Sequence, residues 1–174
     1  TEKFNGSAWT EVADLNSNRQ GNAGSVNGSQ TATITFGGSP PTYAITEEWD
    51  GSSWTEVADL NQARFYIMGA GTAAAGLAFG GRPPGSHRTE TETWDGSSWT
   101  EVSELNDGRS YGASAGTQTD TIAFAGNNPA VVLTEGYDGT SWSASAVLPQ
   151  TTVRSHNQAG KSSASAHTAG GNYA

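Results

Sequence analysis

The sequence predicts an all-β fold built from four copies of one four-stranded unit. The clearest sign is the stretch WDGSSWTEVADLNQAR at residues 49–64, which returns with few changes at residues 94–109. Shorter copies at residues 4–9 and 137–142 come before Arg19 and Arg154. Glycine supplies 23 of the 174 residues and charged residues only 14%, a composition typical of short strands and tight turns. No apolar run has helical spacing.

Three landmarks recur in phase and divide the chain into units at approximately residues 1–45, 46–90, 91–133 and 134–174. The first landmark is a tryptophan, the second is an arginine that returns every 45 residues, and the third is a small-residue pair that closes an apolar strand. They are Trp9, Trp54, Trp99 and Trp142; Arg19, Arg64, Arg109 and Arg154; and the pairs at 37–38, 80–81, 125–126 and 170–171.

The second unit shows how four strands fit into one period. Residues 64–71 are small and apolar, which suits a crowded innermost strand, and residues 73–79 form a second strand that ends at the glycine pair. Residues 82–88 contain two prolines and are expected to be a loop. Residues 89–94, with charges at alternate positions, predict a partly solvated third strand. An Asp-Gly turn leads to the outermost strand at residues 99–105.

This pattern of period, glycine pair, aromatic turn, tryptophan and arginine resembles the kelch repeat over the whole chain. The resemblance implies a β-propeller in which each unit is one four-stranded blade. Ala125 and Ala169 depart from the pattern, since the other units have Gly and Phe there. We expect four blades, the last closed by joining residues 170–174 to residues 1–4. An eight-bladed ring of two chains and a segment of a longer array remain open.

Charge and composition narrow the function. The net charge of −9 argues against nucleic acid and anionic membrane surfaces, and no stretch is long enough to span a membrane. The chain has no cysteine, which excludes thiol catalysis and also the modified-tyrosine copper site of some kelch-like oxidases. It carries no recognisable catalytic or phosphate-binding motif. We therefore expect no enzyme activity and no cofactor.

The repeated arginines have two possible roles. They lie in the links from an outermost strand to the next innermost strand, and in propellers these links are on the face from which ligands enter. Four arginines there could hold a carboxylate, sulfate or phosphate. Alternatively, each arginine pairs with Glu11, Glu56 or Glu101, or with backbone carbonyls of a neighbouring blade.

Residues beside the arginines, and the loops after the glycine pairs, differ among units. Both sets are expected on one face, and variable loops on a constant scaffold are where binding usually occurs. Tyrosines next to polar groups suggest a sugar site. The predicted ligand-binding residues are Arg19, Tyr43, Arg64, Tyr66, Arg109, Tyr111, Arg154 and His156.

Other conspicuous residues have structural explanations. The tryptophans are expected to pack between blades, with sugar stacking as the alternative. Asp50, Asp95 and Asp138 precede Gly in turns and are expected to cap backbone N–H groups rather than bind calcium. The three histidines lack the paired spacing of a metal site.

The leading functional hypothesis is a non-catalytic binding module for carbohydrate or a cell-surface receptor. Similar kelch-like modules occur in bacterial surface proteins and in phage virion or tail-associated proteins, so we expect an extracellular, cell-surface or virion location. The alternative is a structural module of a fibre or virion appendage that self-associates or binds a protein partner. A hydrolase or oxidase has only the fold analogy in its favour.

Overall fold

A computed structural model describes residues 1–127, 133–148, 158–159, 163–165 and 167–168, and it confirms the all-β prediction. Three four-stranded antiparallel sheets lie between two short hairpins. The N-terminal hairpin is β1 (Glu2–Phe4) and β2 (Trp9–Glu11); sheet I is β3 (Ala23–Gly24), β4 (Thr33–Phe36), β5 (Thr46–Trp49) and β6 (Trp54–Val57). Sheet II is β7 (Met68–Gly71), β8 (Gly76–Phe79), β9 (Thr91–Trp94) and β10 (Trp99–Val102). Sheet III is β11 (Ala113–Gly116), β12 (Thr121–Phe124), β13 (Leu133–Tyr137) and β14 (Trp142–Val147). The C-terminal hairpin is β15 (Gln158–Ala159) and β16 (His167–Thr168), with a 3-10 turn at Ser163–Ser165 between them.

The innermost strands of successive sheets stand side by side. β3 contacts β7, β7 contacts β11, and β11 contacts β15. These strands consist largely of Gly, Ala and Ser, because the backbones approach too closely for larger side chains. In sheet II, for example, a Cβ added to Gly69 would lie 2.6 Å from the carbonyl oxygen of Gly24.

Asn27 links three sheets at one end of the inner strands. Its backbone N–H donates to the Gly71 carbonyl of sheet II at 2.9 Å. Its side-chain amide donates to the Gly116 carbonyl of sheet III at 2.7 Å. A side chain of sheet I therefore contacts sheet III, beyond the neighbouring sheet II. This contact requires the inner strands to lie close together.

The glycine pairs occur where one sheet meets the link to the next. Gly37 and Gly80 have φ angles of 69° and 62°, in the left-handed region that favours glycine. A Cβ on Gly80 would lie 2.6 Å from the carbonyl oxygen of Arg109. Ala125 occupies the equivalent place in sheet III with a φ of 57°, so it keeps the same backbone conformation despite its side chain.

Tryptophans of the outermost strands hold neighbouring sheets together, as the sequence predicted. Trp99 of sheet II donates its indole N–H to the Thr46 hydroxyl of sheet I at 2.9 Å and packs edge-on against Phe36. Trp142 of sheet III likewise donates to the Thr91 hydroxyl of sheet II at 3.0 Å and packs against Phe79 in a tilted arrangement.

The N-terminal hairpin joins this arrangement on one side only. Trp54 of sheet I donates to the Thr1 hydroxyl at 3.2 Å, which places the hairpin before sheet I as sheet I stands before sheet II. Trp9, the hairpin's own tryptophan, is 67% exposed. Among the described residues no strand pairing connects the two hairpins. Residues 170–174, which were expected to join residues 1–4, are not among the described residues. The expected closed ring is therefore not observed.

Candidate ligand-binding face

The repeated arginines that the structure describes are buried inside the sheets. The side chains of Arg19, Arg64 and Arg109 have no exposed surface. Each lies in the link before an innermost strand, and the backbones of Arg64 and Arg109 also contact the preceding sheet. The carbonyl of Arg64 accepts from Gly38 N–H at 2.9 Å, and that of Arg109 from Gly81 N–H at 2.8 Å.

Each buried guanidinium is paired with a glutamate of the third strand of its own sheet. Arg64 donates from Nη2 to Glu92 Oε1 at 2.6 Å, and from Nη1 to the carbonyls of Gly80 and Glu90 at 2.9 and 2.7 Å. Arg19 lies 3.0 Å from Glu47, and Arg109 donates to Glu135. Burial lowers the pKa of Arg64, and the carboxylate beside it opposes that shift.

The expected partners Glu11, Glu56 and Glu101 are therefore wrong. Those residues are on the outermost strands and exposed. Glu92, on a strand expected to be partly solvated, is fully buried. The ligand-binding role of these arginines stays a prediction, but in this structure protein encloses each guanidinium. Arg154 lies outside the described residues.

A repeated asparagine completes each cluster and was missed from the sequence. Asn61 donates its backbone and side-chain N–H to Glu92 Oε2 at 2.7 and 2.9 Å, and also donates to the Trp99 carbonyl at 3.1 Å. Asn16 and Asn106 repeat this arrangement with Glu47 and Glu135. The available signal was an Asn three residues before each described arginine. Each cluster thus attaches the link that precedes a sheet to the third and outermost strands of that sheet.

The two variable sets of residues meet on one face, as expected. In each of the first three units, one bridge joins the residue after the arginine to the loop that follows the small-residue pair. The bridges are Gln20–Ser39, Phe65–Arg82 and Ser110–Asn127.

Tyr66 and Tyr111 form an aromatic ladder at the centre of this face. Their ring centroids are 3.8 Å apart and their planes differ by 25°, so the rings stack. Tyr66 N–H donates to the Gly21 carbonyl at 2.6 Å, and Tyr111 N–H donates to the Tyr66 carbonyl at 3.1 Å. Gly21, Tyr66 and Tyr111 each follow an arginine by two residues and therefore occupy equivalent places in three units. The ladder lies at the opposite end of the inner strands from Asn27.

The backbone of the ladder is strained at both tyrosines. Their φ angles are 52° and 59°, an outlying conformation for bulky residues. Gly21 adopts a φ of 66° without this cost, and the ring of Tyr66 covers it so closely that an added Cβ would lie 2.8 Å from Tyr66 Cδ1. Such strain is concentrated at binding and catalytic sites in proteins.

Polar and aromatic groups surround the ladder. Phe65 packs against Tyr66 with centroids 4.8 Å apart, and the guanidinium of Arg82 lies 5.9 Å from the Phe65 ring centroid. The loop of sheet II reaches sheet III, where His87 Nδ1 is 2.9 Å from Ser110 Oγ. Burial, with a smaller contribution from Arg82, lowers the pKa of His87. A neutral imidazole is thus favoured on this face at pH 7.

The other predicted residues are less central. Tyr43 N–H donates to the Gly38 carbonyl at 2.8 Å, and its own carbonyl accepts from Arg64 N–H at 3.1 Å. Tyr43 therefore lies on the loop of sheet I beside the buried arginine. His156, which follows Arg154 by two residues, lies outside the described residues.

The Asp-Gly turns at the outer ends of the sheets are caps, as predicted. Asp95 Oδ1 accepts from the backbone N–H groups of Ser97 and Ser98, each at 2.8 Å. Hydrogen bonds from the Ser97 side chain and these N–H groups lower the pKa of Asp95 to about 2. Asn5 makes the same turn without a charge, accepting from Ser7 and Ala8 N–H at 2.9 Å.

Comparisons leave the family open. No family model matches this sequence, and no curated protein matches it. Within the described residues, no helix has the length and apolar character needed to cross a membrane.

Proposed function

We propose that this chain is a non-catalytic binding module that recognises carbohydrate through the face carrying Tyr66 and Tyr111. The observation that supports this most directly is the stacked tyrosine pair, held in strained backbone conformations at the centre of the variable face. The outer surface of this stack is an apolar patch beside hydrogen-bonding groups, and such a patch suits a sugar, whose ring has an apolar face and a hydroxyl-bearing edge.

The charges of the structure favour a neutral saccharide over an anionic one. The three described arginines that could have attracted carboxylate or sulfate, Arg19, Arg64 and Arg109, are enclosed and paired with glutamate. The loop beside the ladder carries two further cations, Arg82 against Phe65 and Arg88 paired with Glu90, and the chain as a whole carries a net charge of −9. Long-range repulsion would therefore weaken binding of sulfated or sialylated glycans.

A glycan array with a ring-deletion variant tests the proposal. Tyr66→Gly is the appropriate change because Gly21 already occupies the equivalent place with the same sign of φ. Removal of the ring leaves the backbone conformation accessible, whereas Ala would be strained. We expect the wild-type protein to bind neutral glycans and the variant to lose most of this binding.

Tyr66→Phe is the matched control, because it keeps the ring and removes only the hydroxyl. Retained binding in Tyr66→Phe with loss in Tyr66→Gly would assign recognition to the ring face. Circular dichroism checks that both variants fold. The absence of binding to any glycan would refute the carbohydrate proposal, and equal binding by Tyr66→Gly and wild type would refute this site.

We also infer that the chain forms a closed four-bladed propeller of the kelch type. Trp54 holds the N-terminal hairpin at the position of a preceding sheet, and β15 contacts the inner strand of sheet III from the other side. Each hairpin lacks the two strands that the other supplies. The contact of Asn27 with sheet III favours four blades, since eight would separate sheets I and III across a wide channel.

The expected location, outside the cell or on a virion, belongs to this proposal as well. It follows from the resemblance to kelch-like surface and tail-associated modules and from recognition of a glycan or receptor. The molar mass at low protein concentration separates a single closed ring, which has the mass of one chain, from an eight-bladed ring of two chains.

A further inference from the structure

The chain contains the sequence Asn-Gly-Ser twice, at residues 5–7 and 27–29. In an Asn-Gly pair the backbone nitrogen of the glycine can attack Cγ of the asparagine, since the glycine has no side chain to shield its nitrogen. The attack closes a succinimide ring and releases ammonia. In a folded protein this reaction depends on the hydrogen bonds that hold the attacking nitrogen and the side-chain amide, and these differ between the two copies.

The first copy is open to this reaction. Asn5 and Gly6 are both exposed at the turn of the N-terminal hairpin, and a Cβ on Gly6 would meet no atom within 4 Å. Among the described residues, no group accepts a hydrogen bond from the Gly6 N–H or from Asn5 Nδ2. Asn5 Oδ1 accepts from the N–H groups of Ser7 and Ala8, each at 2.9 Å, and these donors stabilise negative charge that develops on the oxygen during the attack.

The second copy is protected, although its local sequence is the same. The side-chain amide of Asn27 donates to the Gly116 carbonyl at 2.7 Å, and the Gly28 N–H donates to the Ser25 carbonyl at 3.0 Å. Both the attacking nitrogen and the leaving amide are therefore engaged. These two hydrogen bonds must break before a succinimide can form.

We propose that Asn5 and Gly6 form a self-modification site, at which Asn5 converts to a carboxylate in the folded protein. The Gly6 nitrogen loses its proton to solvent and bonds to Cγ of Asn5, and the side-chain nitrogen leaves as ammonia. Water then opens the ring, either at the Cγ–N bond, which gives aspartate, or at the bond to the original backbone carbonyl, which gives isoaspartate. The reaction needs water alone, and the chain gains one negative charge.

The turn accommodates the aspartate product. The other three units have Asp-Gly at the equivalent place, as residues 50–51, 95–96 and 138–139. Asp95 Oδ1 accepts from two backbone N–H groups at 2.8 Å, in the arrangement that Asn5 Oδ1 already has. The modified first unit would thus have the charged turn of the other units, with the stronger hydrogen bonds of an ionised acceptor.

Peptide mapping by mass spectrometry, after incubation of the protein at mildly alkaline pH, tests this inference. Trypsin cleaves after Lys3 and Arg19 and so separates residues 4–19 from the peptide that contains Asn27. Conversion raises the peptide mass by the difference between OH and NH₂, and fragmentation locates the change. We expect Asn5 to convert at least about tenfold faster than Asn27 in the folded protein, because two hydrogen bonds protect Asn27.

The urea-unfolded chain is the matched control, because unfolding removes the hydrogen bonds that distinguish the two copies. Both asparagines should convert there at similar rates. Asn5→Asp should have the charge of the converted protein from the start and show no further change at this residue. An Asn5 that stays unconverted in the folded protein, or an Asn27 that converts there equally fast, would overturn the inference. Neither result depends on glycan binding.

Discussion

Replacement of Glu92 by Gln tests whether the buried arginine clusters stabilise the fold. The carboxylate of Glu92 accepts hydrogen bonds from Arg64 and from two N–H groups of Asn61, at 2.6 to 2.9 Å. Glutamine has the same shape but places an NH₂ group where an oxygen stood. Either orientation points that donor at another donor, and the buried charge of Arg64 loses its counter-ion.

The magnitude follows from the burial of both partners. Arg64 and Glu92 have no exposed side-chain surface, so water cannot replace the lost interaction. Removal of one partner of a buried ion pair typically costs about 3–5 kcal/mol, and the polar amide retains part of the bonding. We expect Glu92→Gln to lower the free energy of unfolding by about 3 kcal/mol, and the melting temperature by roughly 6–12 °C for a chain of this size.

Urea unfolding followed by tryptophan fluorescence measures this change. Glu101→Gln is the matched control, since Glu101 lies opposite Glu92 in the ladder but is exposed. An exposed substitution of this kind should change the free energy by less than about 0.5 kcal/mol. If Glu92→Gln cost no more than Glu101→Gln at an unchanged denaturant slope, the ion pair would contribute nothing and the reasoning would fail.

Three further predictions concern the glycine pairs, the ring and the turns. Gly80→Ala should lower the free energy of unfolding by about 1–3 kcal/mol, because Gly80 has a positive φ and a close backbone contact. Ala125→Gly should raise it by up to about 1 kcal/mol, and equal effects of the two changes in urea unfolding would contradict this. In a closed ring Trp9→Ala should lower the free energy of unfolding by about 3–5 kcal/mol, because Trp9 would pack against sheet III as Trp99 packs against sheet I. A decrease below about 0.5 kcal/mol would contradict closure. The pKa of Asp95, about 2 in the folded protein, lies below the ordinary aspartate value of 3.8, so the stability that its ionised form contributes is present above about pH 4 and lost as the pH falls toward 2. The melting temperature of Asp95→Asn should therefore approach that of wild type as the pH falls through this window, and a constant difference would contradict the assignment.

Local features of the fold were predictable from the sequence. The Asp-Gly turns and the tryptophan after them are encoded within six residues, and the 45-residue period makes each copy a check on the others. The strands formed where expected, but with shorter ends. Residues 73–75, expected in a strand, form part of a turn in which Thr72 N–H donates to the Ala75 carbonyl at 2.9 Å.

The arginine partners were harder to predict, because they depend on tertiary structure. Arg64 lies in the link before β7, and Glu92 is 28 residues later on β9, which is not a neighbour of β7 in the sheet. The alternating charges of residues 89–94 resemble those of a solvated strand, but the link that carries Asn61 and Arg64 packs against Glu92 and buries it. The left-handed conformation of Tyr66 did leave a signal, since Gly21 occupies the equivalent place in the first unit.

Constant and variable residues adjoin closely on the proposed binding face. Arg64 is repeated and fully enclosed, while Tyr66, two residues later, differs among the units and lies half-buried in the ladder. A buried ion pair fixes the backbone on one side of this boundary, so the side chain on the other side can change without loss of the fold. Binding sites commonly use this division between a rigid scaffold and variable positions. The positive φ of Tyr66 also carries an energetic cost for so large a side chain. Gly21 occupies the equivalent place in the first unit, so the scaffold itself does not require a large ring there.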